Sequence, residues 1–526
     1  MAVNAIKTPF TNMTWTPDVP SSSLQPNEYN EGYNIETNTR GVNSVLGDQY
    51  ILSQVPGTII YVTGGFRTGA NFWFVVATTA GQWYGINAAG ITNLTPTAGY
   101  INTGYTQSTP ITDCWNGEVL FVNDNINPPM YLLPTEIEFR IYGQAPDNYV
   151  WNYNPAWTSL TAGWLRLYNS PNLGSLLIAG NLTYVEGGTQ YNLPNTVRWS
   201  QNFGLNSGPT TWAPTLVNVA NELEIPIRGL AIDGFPLNGN FYVCSYWDTV
   251  VFSPIAYQSS TAPSFGIKLL NQGRGLINEN CWSSVDNTVY GVDARDIWSF
   301  DGGQFKPIGN QRVKDYFYRN LNKNYTDQIF MQHNSSKYQI EIYYPDLTST
   351  GYCNKMISYR YDLDAWQPPR DVTQASQSTE SPVWTGNVAN LASRDIVYAS
   401  ATGNVRLVQK DQGTSFLGNT AISSLFQRNN ISFGQPYSAS VQVHRVLPEL
   451  YGTGNVIITV GGSDSVASNV AYKAPVELPI VTNNPWVQIN QNEARVNTIK
   501  VASNSAVDSW QMTAANWQVT VVQDTR

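Results

Sequence analysis

Charge is scarce in this chain. Asp, Glu, Lys and Arg make up 12% of its 526 residues, where roughly 25% is usual for soluble proteins. The surface must therefore be built from Asn, Gln, Thr and Ser. That suits a protein held in a permanent assembly or working outside a cell, and argues against a cytosolic monomer. The net charge of −9 disfavours tight sequence-specific DNA binding, which needs Lys and Arg on phosphates, but does not exclude DNA passing by. Histidine is nearly missing: His333 and His444 are the two present, whereas triads and most acid–base schemes recruit one. Both are read as hydrogen-bonded structural residues. The four cysteines, Cys114, Cys244, Cys281 and Cys353, form no CxxC pair and have no histidine at metal-ligand spacing, so they are read as buried thiols. No uninterrupted run of about 18 apolar residues occurs, so no membrane-spanning helix is expected. The opening "MAVNAIKTPFTNMTWTPDVP" lacks a basic stretch before an apolar one, so no secretion signal is expected. The phosphate-loop pattern GxxxxGK[ST] and the zinc pattern HExxH are absent. The reading is of a protein that is not an enzyme, has no cofactor and holds no metal.

What the chain does contain is aromatic side chains, at 13%, and short alternating apolar runs bounded by Gly, Asn, Asp and Pro, which is the pattern of strands. Hairpins recur: "NFWFVVATTAGQWYGIN" from Asn71, "GEVLFVNDNINPPMYLL" from Gly117, "GSLLIAGNLTYVEGGTQYNLPNTVRWS" from Gly174 and "GNFYVCSYWDTVVFSPI" from Gly239. Three more begin at Asn287, Lys337 and Arg394. Their spacing of about 45–60 residues is close to one blade of a β-propeller. An irregular array of β-sandwiches is the plainer alternative, but radial repetition explains similar hairpins better. The expected fold is all-β: a propeller of six or seven blades over residues 50–429, with the first strand of each hairpin innermost. Residues 1–49 are expected to form an extended arm packed on a neighbour. The stretch 147–170 is read as a Trp/Tyr-rich insertion, and 430–526, with longer alternating strands, as a C-terminal β-sandwich. One segment reads as helical: "QRVKDYFYRNLN", Gln311 to Asn322, puts Val313, Tyr316, Phe317 and Leu321 on one face.

The segment "ARDIWSFDGGQFKPIGNQ", Ala294 to Gln311, resembles the Asp-box of sialidases, S-x-D-x-G-x-x-W/F. Ser299, Asp301 and Gly303 fit, but Phe305 arrives one residue early and no second copy is found. Asp-Gly and Gly-Gly supply the backbone freedom of a tight turn, so the loop is read as a blade corner. Paired carboxylates for glycosidase chemistry are not excluded by missing motifs. The Trp and Tyr side chains are assigned to packing before sugar platforms. Asn-x-Ser/Thr triplets at Asn12, Asn93, Asn181, Asn324 and Asn334 are expected by chance in so Asn- and Thr-rich a chain.

The arm "PNEYNEGYNIETNTRGVNSVLGDQYI", the segments "VYGVDARDIWSFDGGQFKPIGNQRVKDYFY" and "KYQIEIYYPD…NKMISYRYDLDAWQPP", and the ending "VLPELYGTGNVIITVGGSDS…WQMTAANWQVTVVQ" together resemble the tail hub or nozzle proteins of short-tailed bacteriophages, the packaged-DNA stabilization proteins. The resemblance implies a propeller subunit of a homohexameric ring below the portal and its adaptor. The ring would retain genomic double-stranded DNA, conduct it at ejection and anchor fibres or spikes. It also implies assembly in the host bacterial cytoplasm and a place in the virion tail. Low cationic charge suits a conduit that must not grip phosphates. Two long inter-strand loops are candidates for a channel gate, with Gln190, Tyr191 and Asn192 in one and Asn206, Thr210 and Trp212 in the other. Trp151, Trp157 and Trp164 are candidates for subunit or fibre contact. The alternative function is a carbohydrate-binding or carbohydrate-active propeller, either a receptor-binding tail protein or a lectin.

Overall fold

Each hairpin read from the sequence forms the middle pair of a four-stranded antiparallel unit. The computed structural model describes residues 4–255, 264–401, 405–433, 439–465, 469–481 and 483–523. Among these described residues lie five four-stranded sheets and one seven-stranded sheet outside the C-terminal region. The seven-stranded sheet is two blades sharing one strand. Ala365–Thr385 runs for 21 residues, pairing with Cys353–Arg360 through its first half and with Val388–Ser400 through its second. The last blade takes its outer strand from far upstream: Gln49–Ile51 pairs with Leu407–Gln409. The result is a seven-bladed β-propeller whose ring is closed by an N-terminal strand.

The innermost strands are Ile59–Arg67, Thr112–Asn116, Trp157–Ser170, Asp233–Leu237, Trp282–Val285, Phe330–Asn334 and the second half of Ala365–Thr385. They precede the hairpins that the sequence expectation had placed innermost. The reason is burial. Second strands such as Val119–Asn123 and Gln339–Tyr344 are sandwiched between blades and buried at every position, so they read as apolar runs. Inner strands face the axis. Thr112–Asn116 and Trp282–Val285 are only partly covered and carry Asp, Ser and Asn, which hides them from a hydrophobic-pattern search.

The stretch 147–170 is not an insertion, because Trp157–Ser170 is the inner strand of the third blade. Residues 4–49 do not form an extended arm either. Asn4–Pro9 pairs with Ser509–Gln523, and Gly41–Ser44 pairs with both Ile35–Asn38 and Ser509–Gln523. Glu31–Tyr33 adds to Ile422–Ile431 in the opposite sheet. The C-terminal β-sandwich is thus two six-stranded sheets built from both ends of the chain. It begins at Ile422, not Asn430, around a core that includes Phe426, Val443, Ile499, Trp510 and Trp517. These N-terminal strands are three to six residues long, and outside the Ile35–Ser44 hairpin their partners lie hundreds of residues away, so local pattern alone cannot pair them.

The helix spans Lys314–Asn320, and Val313, Phe317 and Leu321 are buried as the spacing requires. The Asp-box-like loop is a corner. Asp301 accepts hydrogen bonds from the Gly303 and Gln304 amides at 2.9 and 3.2 Å, and Phe300 stacks on Phe305 at 4.3 Å. Those amides, together with Lys306, hold the Asp301 carboxyl down at about 2. All four cysteines are free thiols, three of them buried.

Candidate functional site: the closed channel of the propeller

Seven inner strands surround an axis, and what fills that axis decides what the propeller can do. Level with the start of the second, fourth and fifth inner strands, one ion pair closes it. Arg166 of the third blade donates to Asp233 of the fourth through Nε at 2.9 Å and Nη2 at 2.6 Å. The same guanidinium reaches the Asp113 carbonyl of the second blade at 3.1 Å and Asn280, just before the fifth blade, at 2.9 Å. Asn280 in turn donates to the Ile111 carbonyl at 2.9 Å, so groups belonging to blades two and five touch across the axis. Asp233 also accepts from the Trp282 indole at 2.7 Å and from the Gly234 amide at 2.8 Å. Arg166 lies over the Trp282 ring at 5.3 Å. Burial opposes the Arg166 charge, but the Asp233 carboxylate outweighs it and holds the guanidinium above its ordinary range. Burying a charge is costly unless it is paired and hydrogen-bonded in this way.

Beyond the plug, the channel widens into a cavity of about 370 Å³, lined by inner-strand residues of six blades. Asp113 stands in its wall with both oxygens occupied, taking the Tyr61 hydroxyl at 2.5 Å and the Thr63 hydroxyl at 2.7 Å. Burial, and then the Asp113 charge, push the Tyr61 hydroxyl well above its usual range, so it stays a donor. The Trp115 indole donates to Thr63 at 2.9 Å and lies against the backbone of Gly65. A Cβ at Gly65 would come within 2.6 Å of that ring, so glycine is what seats the indole. His333 shares a 3.1 Å hydrogen bond with Tyr361, and burial lowers its pKa, favouring the neutral ring. On the far side of the plug lies a 50 Å³ recess between inner-strand ends and connecting loops, next to a larger pocket of about 670 Å³ that shares Ser108, Pro110, Glu279 and Asp327 with it. Those loops are tied together by Gln328, which donates to the Gln107 carbonyl at 2.8 Å.

None of the residues expected in a gate or contact surface lines this cavity. Gln190, Tyr191 and Asn192 are exposed but belong to a strand, Thr189–Trp199, in a hairpin where Tyr184 faces Tyr191. Asn206 accepts the Glu118 amide at 2.8 Å, fastening its loop to the second blade. The Thr210 hydroxyl accepts from Gln201 at 2.9 Å. Trp212 is fully buried and packs edge-on against Trp151 at 4.7 Å, so it is a core residue and not part of a gate. Trp151 and Trp164 are likewise core, their indoles donating to the carbonyls of Leu160 and Ala231 at 2.8 and 3.0 Å. Trp157 remains near the surface, in a stacked ladder with Tyr184 at 4.2 Å and Tyr191 beyond it at 5.2 Å. Sequence reasoning missed Arg166, Asp233, Trp115 and Trp282. The available signal was polar residues in short strands preceding each hairpin, which only a known blade register would have turned inward. His444, read as structural, bonds Thr520 at 2.8 Å.

No family model and no curated protein matches the chain. The solved structures that match include the computationally designed Ika8 protein, 10% identical over 69% of this chain and 99% of that one, with a TM-score of 0.34. Another is YCF48 bound to a D1 peptide, 7% identical over 70% of this chain and 96% of that one, also with a TM-score of 0.34. The propeller assignment rests on the chain's own sheets.

Proposed function

We propose that the chain is a structural subunit of a short-tailed phage tail, several copies of which, six by the family resemblance, form a nozzle around a shared axis. In this reading the ring lies below the portal and adaptor, retains packaged DNA, conducts it at ejection and carries fibres or spikes on its outer surface. The observation that carries the reading is the closed axis. A cavity of about 370 Å³ behind an ion-pair plug cannot pass a duplex whose major groove alone is about 12 Å wide. Each propeller is therefore a solid block, and a conduit can form only between copies. The excess of acidic over basic residues, 37 against 28, lets a polyanion slide past. Leu216 and Val217, 81% and 95% exposed in the segment before the last strand of the third blade, are adjacent apolar side chains of the kind that a neighbour would cover. The carboxylates that meet at the plug are committed to Arg166, Tyr61 and Thr63, which supports a structural role over a catalytic one.

The test is size-exclusion chromatography with mass measurement and negative-stain imaging, on the full chain alone and mixed with its tail adaptor. A ring with a central hole is expected, six-fold in at least the mixed sample. A monomer under both conditions overturns the proposal.

A further inference from the structure

The cavity beyond the plug has a consistent chemistry of its own. Its charges are cancelled or capped, since Arg166 is paired with Asp233 and both Asp113 oxygens already hold hydroxyl donors. What remains on the wall is neutral and of both hydrogen-bonding senses. The Gln377 amide oxygen takes the Ser378 amide at 2.9 Å, leaving its nitrogen to give. The Gln332 nitrogen is spent on the His333 carbonyl at 3.0 Å, leaving its oxygen to accept. Ser378 is 5% exposed, and its hydroxyl oxygen has no partner among the described residues, an unusual state for a buried polar atom. Ser283 and Ser284 add hydroxyls, and Trp115 and Trp282 add indole surface from two different blades.

We propose that this channel mouth binds an uncharged polyhydroxylated ligand, a short saccharide, seated among Trp115, Trp282, Ser283, Gln332, Gln377 and Ser378. Three arguments select that class. Hydroxyl groups donate and accept at once, which matches a wall of mixed senses. Apolar C–H faces of a sugar ring suit indole surface. An anion would meet the Asp113 carboxylate with Arg166 already paired to Asp233, and so would be desolvated without a partner, while a cation would have to displace the Tyr61 and Thr63 hydroxyls from Asp113. The volume falls in the range of about 300–1,000 Å³ typical of small-molecule pockets. This inference does not depend on ring assembly, and a monomeric chain could bind equally well.

The experiment is saturation-transfer NMR followed by calorimetry on the full chain, with maltose, cellobiose, lactose and N,N′-diacetylchitobiose as probes. Glucose 6-phosphate and glucosamine serve as charged comparisons. At least one neutral disaccharide is expected to bind saturably and more tightly than either charged probe. Gln377→Ala should weaken that binding by at least about tenfold, and Ser283→Trp, which fills the mouth from an incompletely buried strand, should abolish it. Tyr191→Ala, on the distant aromatic ladder, should leave it unchanged. Thermal melts of each variant separate loss of binding from loss of fold. The proposal is overturned if no neutral probe saturates, if a charged probe binds best, or if a folded Ser283→Trp variant retains full affinity.

Discussion

Two clusters of buried charge hold this molecule shut, and they do different work. The plug on the axis is one Arg–Asp pair whose spare donors and acceptors are shared among blades two to five, with a cavity on one side. The other lies at the seam where the ring closes and the sandwich docks. There Arg370 pairs with Asp48 at 2.6 Å and Asp411 at 2.5 Å. Lys337 bridges Glu36 and Asp411, both at 2.8 Å, and Lys410 pairs with Glu341 with both side chains wholly buried. Asp48 immediately precedes the closing strand, and Glu36 lies in the sandwich, so the seam ties three distant parts of the chain together. Burial would raise the Asp411 carboxyl, but Arg370, Lys337 and Lys410 hold it well below the usual range. The same balance, set by Lys410, lowers Glu341. The lesson is that a chain so thin in charge spends much of what it has internally, where losing one partner strands the other in a low dielectric.

If that contrast is right, the largest effect belongs to the seam. Arg370→Met leaves Asp48 and Asp411 without their main partner and should cost about 3–5 kcal/mol in urea denaturation. Hydrogen exchange at residues 49–51 should accelerate as the closing strand frays. A loss below about 1 kcal/mol would place the lock elsewhere.

Arg166→Met should cost less, about 3 kcal/mol, because Asp233 keeps the Trp282 and Gly234 donors and borders a cavity that water can enter. Equal costs for the two arginine variants would erase the distinction between plug and seam.

A double-mutant cycle sharpens it further. Glu341→Leu alone strands Lys410 and should destabilise by several kcal/mol, whereas Glu341→Leu with Lys410→Met should recover most of that loss, since a buried pair is worth little more than apolar packing of similar volume. Additive losses would mean that the pair's other hydrogen bonds, from Asn334 and Tyr343 to Glu341, dominate instead.

Near the plug, burial and the Asp233 charge raise Glu279 from 4.5 to about 7. A carboxyl whose folded pKa is raised contributes stability that is complete below its unfolded value and is lost as pH climbs through the folded one. Between pH 4.5 and 7 stability should therefore fall by an amount on the order of 1–3 kcal/mol, and Glu279→Gln should flatten that slope in denaturation curves taken across the window. Smallest of all is Lys306→Ala. Its partner Asp301 is 3.4 Å away on an exposed corner, so the denaturation midpoint should not move measurably.

The hairpins were legible because their strands are buried on both faces and read as dense apolar runs. The helix was legible because Val313, Phe317 and Leu321 repeat at helical spacing. The channel was not legible, since Thr112–Asn116 and Trp282–Val285 look like loop sequence until a blade register turns Asp113, Trp115 and Trp282 inward. The tryptophans show the same limit from the other side. Nothing in "DNYVWNYNPAWTSLTAGWLRLYNS" distinguishes Trp151 and Trp164, which are buried, from Trp157, which stays near the surface.

By itself, the sequence determined the all-β class, the repeat period, the free thiols and the scarcity of charge, because these follow from composition and from patterns a few residues long. Only the tertiary structure decided that Gln49–Ile51 closes the ring, that residues before it complete the C-terminal sandwich, and that Arg166 meets Asp233 on the axis. Those outcomes depend on pairings between segments far apart in the chain, and a backbone hydrogen bond or an ion pair leaves no mark on either segment that names its partner.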